Sequence, residues 1–170
     1  MIPFEEPEFG IKRDNEERRD GGCAIVYDSI TQKYAVGKHL EGNFLRLFSG
    51  GVDATEDIVE GIQREVIEES GLHDFKHVEI IGSAIAHYHN TLRNVNRVAH
   101  ATCLLIIVDS TDCLPVKHEE HEKFTLAWVS KEELLSNWDE NNNEKELDHW
   151  FYFLEKAVQK LEELGYKVGN

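Results

Sequence analysis

Between Gly50 and Leu72 the chain reads GGVDATEDIVEGIQREVIEESGL, and no other stretch constrains the fold as tightly. Three of its glutamates, Glu65, Glu68 and Glu69, stand at offsets of three and four residues, which places them on one face of any helix. Like charges so placed repel by roughly 0.2–0.5 kcal/mol per pair. A hard divalent cation, Mg²⁺ or Mn²⁺, reverses that penalty because it selects carboxylate oxygen and helps bind substrate phosphates. The plain alternative is a solvated acidic helix face. Two features weigh against it: the glycines ahead of the helix and Arg64 at its charged edge.

The segment reads as a loop feeding a well-terminated helix. Ser49-Gly50-Gly51 is a breaker cluster where backbone turns sharply and approaches a ligand closely. Asp53 or Thr55 is expected to cap the helix, Asp53 with Glu56 in a capping-box spacing. Ile58, Ile62 and Val66 make an apolar stripe that packs on a sheet, and Gly71 is a left-handed stop. Arg64 sits next to Glu65 and one turn from Glu60 and Glu68, where it can pair with and orient a carboxylate.

The order Gly50, five residues, Glu56, seven residues, Arg64-Glu65-Val66, one residue, Glu68-Glu69, one residue, Gly71-Leu72 resembles the Nudix signature at every defined position. Seven fixed identities, each about one in fifteen by average composition, give a chance match near ~10⁻⁸ per start position. The flanking strand pattern extends the likeness over about residues 21–140. The resemblance implies an α/β fold, a Nudix-type α/β/α sandwich with a mixed β-sheet between helices. It also implies a phosphoanhydride hydrolase, using Mg²⁺ or Mn²⁺, that splits nucleoside diphosphates linked to another moiety. Gly61 stands where such sequences often carry alanine, at about 1 kcal/mol of helix propensity.

With 170 residues and 41% apolar content, the chain can build one sizeable core. Residues 1–20 read as a polar N-terminal arm, loose or at a sheet edge, and 21–170 as a single domain. The net charge of −15, from 18 basic against 33 acidic residues, repels nucleic-acid backbones and anionic membranes. A polyanionic small substrate stays compatible, since bound cations dominate a local field. No segment approaches ~20 uninterrupted apolar residues, and the first residues lack a basic-then-apolar leader. Cys23, Cys103 and Cys113 have no metal-ligand spacing and suit a reducing cytoplasm, the expected location.

Gly22–Tyr27 and Lys33–Lys38 form a predicted hairpin, and Asn43–Phe48 leads into the glycine loop. His77–His89 and Arg97–Val108 are long strand candidates joined by a polar turn, and Lys123–Val129 is a short one. Ser130 with Glu133 has a capping-box spacing. A last amphipathic helix is predicted over 144–164, and its Trp150-Phe151-Leu154 stripe serves either core packing or a dimer contact. Monomer and homodimer both remain open.

Phosphoanhydride cleavage needs charge neutralisation on the bridging phosphates and an activated in-line water. By the resemblance, Glu65 and Glu69 are direct metal ligands, with Glu68 ligating or bridging through water. Gly50 or Gly51 can add a backbone carbonyl, and Arg64 orients a glutamate. Glu119 or Glu122, in the run His118-Glu119-Glu120-His121-Glu122 ahead of Trp128, resembles the family's acidic loop that ligates metal or deprotonates water. His118 and His121 are three apart, which excludes the HExxH zinc pattern. Tyr88, 16 residues beyond Leu72, resembles the tyrosine of dinucleoside polyphosphate hydrolases. Arg46, Arg93 and Arg97 are candidates to grip substrate phosphates. The alternatives to a dinucleoside polyphosphate are ADP-ribose, a nucleotide sugar or a nucleoside triphosphate. A non-catalytic Nudix-fold binding module and an acidic interaction protein are the rival classes.

Overall fold

Alternating and continuous apolar runs assemble into one mixed sheet, seen in a computed structural model that describes residues 6–117 and 123–168. In chain order the elements are β1 (Glu8–Gly10), β2 (Glu17–Arg18), β3 (Gly21–Asp28), β4 (Lys33–His39), β5 (Leu45–Arg46) and β6 (Phe48–Gly51). They continue with α1 (Ile58–Ser70), β7 (Phe75–Asn90), β8 (Val95–Val108), β9 (Phe124–Val129), α2 (Lys131–Asn141) and α3 (Asp148–Glu163). Strands run β1-β7-β8-β3-β4-β5, with β2 against β8, β6 against β3 and β9 against β4. The β8–β3 and β1–β7 pairs are parallel, whereas β7–β8, β3–β4 and β3–β6 are antiparallel.

Helices cover both faces, which is why β3 reads as an unbroken apolar run and not an alternating one. On one face Ile62 and Val66 of α1 pack on Ala24, Val26, Leu104 and Ile106. On the other, Leu134 and Trp138 of α2 and Phe153, Leu154 and Ala157 of α3 pack on Cys23, Ile25, Cys103, Leu105 and Ile107. The α/β/α sandwich is the observed architecture. No helix among the described residues is long and apolar enough to cross a membrane.

Two helix starts differ from expectation. α1 is capped by Asp57, whose carboxylate accepts from the Glu60 N–H at 3.1 Å, instead of by Asp53 or Thr55. Glu56 is thereby left ahead of the helix, where Arg64 claims it. α3 begins at Asp148 and not near 144, because Glu144 and Lys145 take left-handed φ of 52° and 62°. Asn142 bridges that kink, accepting from Leu147 N–H at 2.8 Å and donating to Asp148 Oδ1 at 2.7 Å. Ser130 and Glu133 do form the capping box of α2. That helix is pinned to β5 by polar contacts: Leu45 N–H donates to Asn137 Oδ1 at 2.9 Å, and Trp138 Nε1–H donates to the Leu45 carbonyl at 2.8 Å. Trp150 stacks on Phe44 and Phe151 meets Trp138 edge-on, so this aromatic stripe packs inward.

The N-terminal residues join the sheet. β1 is its edge strand, and β2 pairs with β8 in the register that β3 continues, Glu17 opposite Arg97 and Gly21 opposite Ala101. A buried imidazole holds the arm down: His87 bonds Glu8 through Nε2 and Glu16 through Nδ1, the latter at 2.7 Å. Burial alone would lower the His87 pKa, but the bonds to Glu8 and Glu16 outweigh it and raise the pKa above 6.5. Glu16 shifts the other way; burial opposes the shift, and the His87 and Arg13 bonds bring it below 4.5.

Two outcomes follow from these contacts. Trp138→Ala empties a fully buried site and is expected to cost about 3–5 kcal/mol in urea unfolding. The stabilisation from His87 is fully present below pH 6.5 and is lost as pH rises through the higher folded pKa. That from Glu16 is present above pH 4.5 and is lost on acidification. Amide-exchange protection at Phe9 and Gly10, taken relative to the intrinsic rate at each pH, should therefore fall on the alkaline side, and His87→Asn should abolish that pH dependence.

Candidate active site

The three glutamates do share one face of α1, and each is already engaged. Arg64 is the hub. Its Nε and Nη2 donate to Glu56 at 2.8 and 3.1 Å, and Nη1 reaches Glu65 at 3.1 Å and Glu68 at 3.2 Å. The Arg64 bonds hold Glu56 below the ordinary carboxylate range, and Glu56 with Glu65 raises the Arg64 pKa. Gly61 has a role here that propensity hides: a Cβ there would stand 2.9 Å from the Glu56 carboxyl carbon. Its missing side chain makes room for the Glu56–Arg64 pair.

Glu69 occupies a different environment. Only 4% exposed, it accepts from the Ser49 N–H at 3.0 Å and has Arg46 Nη2 3.6 Å away. Arg46 also lies over the Phe124 ring, 4.6 Å from its centre. The β6 backbone thus binds the Glu69 carboxylate directly, and Arg46 is its electrostatic partner.

Paired glycines let the helix approach. Gly22 and Gly50 are register partners across β3 and β6. A Cβ on Gly22 would meet Ile62 Cδ1 at 2.3 Å, and one on Gly50 would meet the Glu65 carboxyl carbon at 2.4 Å. Ile62 and Glu65 are successive residues of one helix face, so apolar anchor and carboxylate enter the same side-chain-free patch.

An all-oxygen donor set of Glu65, Glu68, Glu69 and the Gly50 carbonyl suits a hard divalent cation by its chemistry. Among the described residues no group of three His, Cys, Asp or Glu side chains is gathered for a metal. Glu65 and Glu68 are instead drawn to Arg64, which occupies them with positive charge. Glu119 and Glu122 lie outside the described residues.

Tyr88 and Arg97 are not part of this constellation. They are cross-strand partners on β7 and β8, on the alternation that carries Ala84 and Cys103 into the α3 face. The signature helix covers the opposite face. Arg97 is buried, with no hydrogen-bond partner at Nε among the described residues. His87 and His89 share the other face; His89 pairs with Asn96 at 2.9 Å, so the histidine pair serves the arm and the hairpin.

Two contributors, Arg19 and Asp20, were not singled out in sequence. An open cavity of about 780 Å³ beside the glycine loop is lined by Arg19, Asp20, Gly51, Asp53, Glu56 and Arg64, among others. Arg19 and Asp20 fall in the polar run assigned to the arm. The Gly21-Gly22 doublet immediately after them was the signal that backbone comes close there.

The family model described as the NUDIX domain matches residues 18–151, and the chain belongs to the Nudix family. Its fold is similar to that of a NUDIX hydrolase from Nitrosomonas europaea, at 19% identity and a TM-score of 0.50 over 72% of this chain and 79% of that one. The NUDIX domain of Shewanella oneidensis NrtR, crystallised with ADP ribose, aligns at 12% identity and a TM-score of 0.61 over 86% and 90%. The MutT protein from Methanosarcina mazei Go1 aligns at 20% identity and a TM-score of 0.55 over 87% and 98%. No curated protein matches at a significant level.

Gly50→Ala is expected to drive a methyl into the Glu65 carboxyl group and cost about 1–3 kcal/mol in chemical denaturation. Combining it with Glu65→Ala should recover much of that loss, giving a coupled double-mutant cycle.

Proposed function

We propose that the chain is a metal-dependent pyrophosphohydrolase that cleaves a phosphoanhydride bond in a nucleoside diphosphate linked to another moiety. The observation that carries this reading is the Glu65 carboxylate held against the backbone of Gly50 on a helix that also presents Glu68 and Glu69. Glu65 and Glu69 would hold a Mg²⁺ or Mn²⁺ ion with help from the Gly50 or Gly51 carbonyl, and Glu68 would ligate directly or through water. Such an ion supplies charge neutralisation at the bridging phosphates and a water of lowered pKa.

The residues around it have separable tasks. Arg64 screens the mutual repulsion of Glu56, Glu65 and Glu68 and sets where each carboxylate rests. Arg46 and the Ser49 N–H hold the buried Glu69 carboxylate in place beside the glycine pair. Proton removal from the attacking water is assigned to Glu119 or Glu122 on the strength of the resemblance. The substrate class is a small phosphate-linked nucleotide: a dinucleoside polyphosphate, ADP-ribose, a nucleotide sugar or a nucleoside triphosphate. The acidic surface, with its net charge of −15, disfavours a nucleic-acid polymer.

The test is a hydrolysis screen over dinucleoside polyphosphates, ADP-ribose, nucleotide sugars and nucleoside triphosphates with Mg²⁺ or Mn²⁺. Glu69→Gln should lower kcat by at least about 10- to 100-fold, the loss typical even of groups one shell from a metal. Undiminished turnover in that variant would remove Glu69 from the site. Saturating Mg²⁺ should also raise the melting temperature of the wild type more than that of Glu69→Gln.

A further inference from the structure

The signature cavity has a second wall, and its chemistry is cationic. Arg19 reaches across Gly51: a Cβ at Gly51 would stand 2.6 Å from Arg19 Nη2 and 3.1 Å from Cζ. The guanidinium therefore lies on the loop backbone where no side chain intervenes. Gly50 and Gly51 are successive residues of β6, so their side-chain directions point to opposite faces. The Glu65 carboxylate thus flanks this two-residue stretch from one side and the Arg19 guanidinium from the other.

Arg19 is also unneutralised. Two of the three acidic residues around the cavity are engaged elsewhere: Asp20 takes both Nε and Nη2 of Arg18 at 3.1 Å, and Glu56 takes Nε and Nη2 of Arg64; the third, Asp53, forms no ion pair with Arg19. Arg19 forms no ion pair among the described residues. In a chain with 33 acidic against 18 basic residues, an unpaired guanidinium facing a cavity of about 780 Å³ is an unusual allocation of charge. The planar fork matches phosphate oxygens bidentately, which an ammonium does not.

We propose that Arg19 is a phosphate-binding residue of this site, taking a phosphate adjacent to the one held at the glutamate face. This rests on the pyrophosphohydrolase reading and sharpens it. With the anion-neutralising groups on opposite sides of the Gly50-Gly51 backbone, the preferred ligand carries two or more linked phosphates. A single phosphate engages only one side.

The experiment is calorimetric titration of the full chain with inorganic pyrophosphate in saturating Mg²⁺, for wild type, Arg19→Ala and Arg19→Lys. It is paired with KM and kcat on a dinucleoside polyphosphate and with thermal melts. Loss of a charge-assisted bond predicts a rise of about tenfold or more in both the pyrophosphate Kd and KM for Arg19→Ala. The lysine variant should be intermediate and the melting temperature unmoved, since the side chain is exposed. Wild-type values of Kd and KM in Arg19→Ala overturn the assignment, as does a wild type that binds no pyrophosphate. A wild type that binds pyrophosphate through Arg19 yet hydrolyses nothing supports the assignment and overturns the hydrolase reading instead.

Discussion

The close approach of α1 to the paired glycines Gly22 and Gly50 is the constraint on which the rest of the molecule depends. Ile62 fills the space that a side chain at Gly22 would take, and Glu65 the space at Gly50. An ionised carboxylate pressed against strand backbone is costly unless it is compensated. Arg64 supplies that compensation and extends it to Glu56 and Glu68, so a single guanidinium holds three like charges together. Packing and electrostatics are therefore one arrangement: the contact that seats the helix also sets the carboxylates beside the loop.

The same logic recurs at Glu69, with burial added. The Ser49 N–H and Arg46 surround it, while Phe124 supports the Arg46 guanidinium from below. The loop before the helix and the strand after the acidic segment thereby meet at one carboxylate. The N-terminal arm closes a third side. His87 clamps Glu8 and Glu16, and the register of β2 on β8 delivers Arg19 onto Gly51. An arm that is polar by composition is thus wired into the sheet through a buried imidazole and two carboxylates.

Much of this was legible before any coordinates. The helix, its Gly71 stop and its apolar stripe follow from periodicity, and the long β7–β8 hairpin from alternation around the Asn90–Asn96 turn. The misplacements have local causes. Asp57 caps α1 in place of Asp53, and Glu56, left ahead of the helix, pairs with Arg64 eight residues on. The start of α3 moves because Asn142 bridges a left-handed kink. Strand spacing placed Tyr88 and Arg97 on the two arms of the hairpin, and the register makes them cross-strand partners. It could not say that their shared face is the one opposite the signature helix, since that depends on which side of the sheet each helix takes.

By itself the sequence determined the family, the sandwich and the face of the helix that carries Glu65, Glu68 and Glu69, because short-range spacing fixes which side chains share a helix surface. Tertiary structure alone decided what those carboxylates meet. Arg46, Ser49 and Arg19 come from three separate stretches of chain, and only strand register brings them around Gly50 and Gly51. Register is a long-range choice, set by which faces are buried, and no local pattern in residues 13–19 encodes it. The bond to be broken is written in the spacing of one helix, and the grip on the phosphates beside it in the pairing of distant strands.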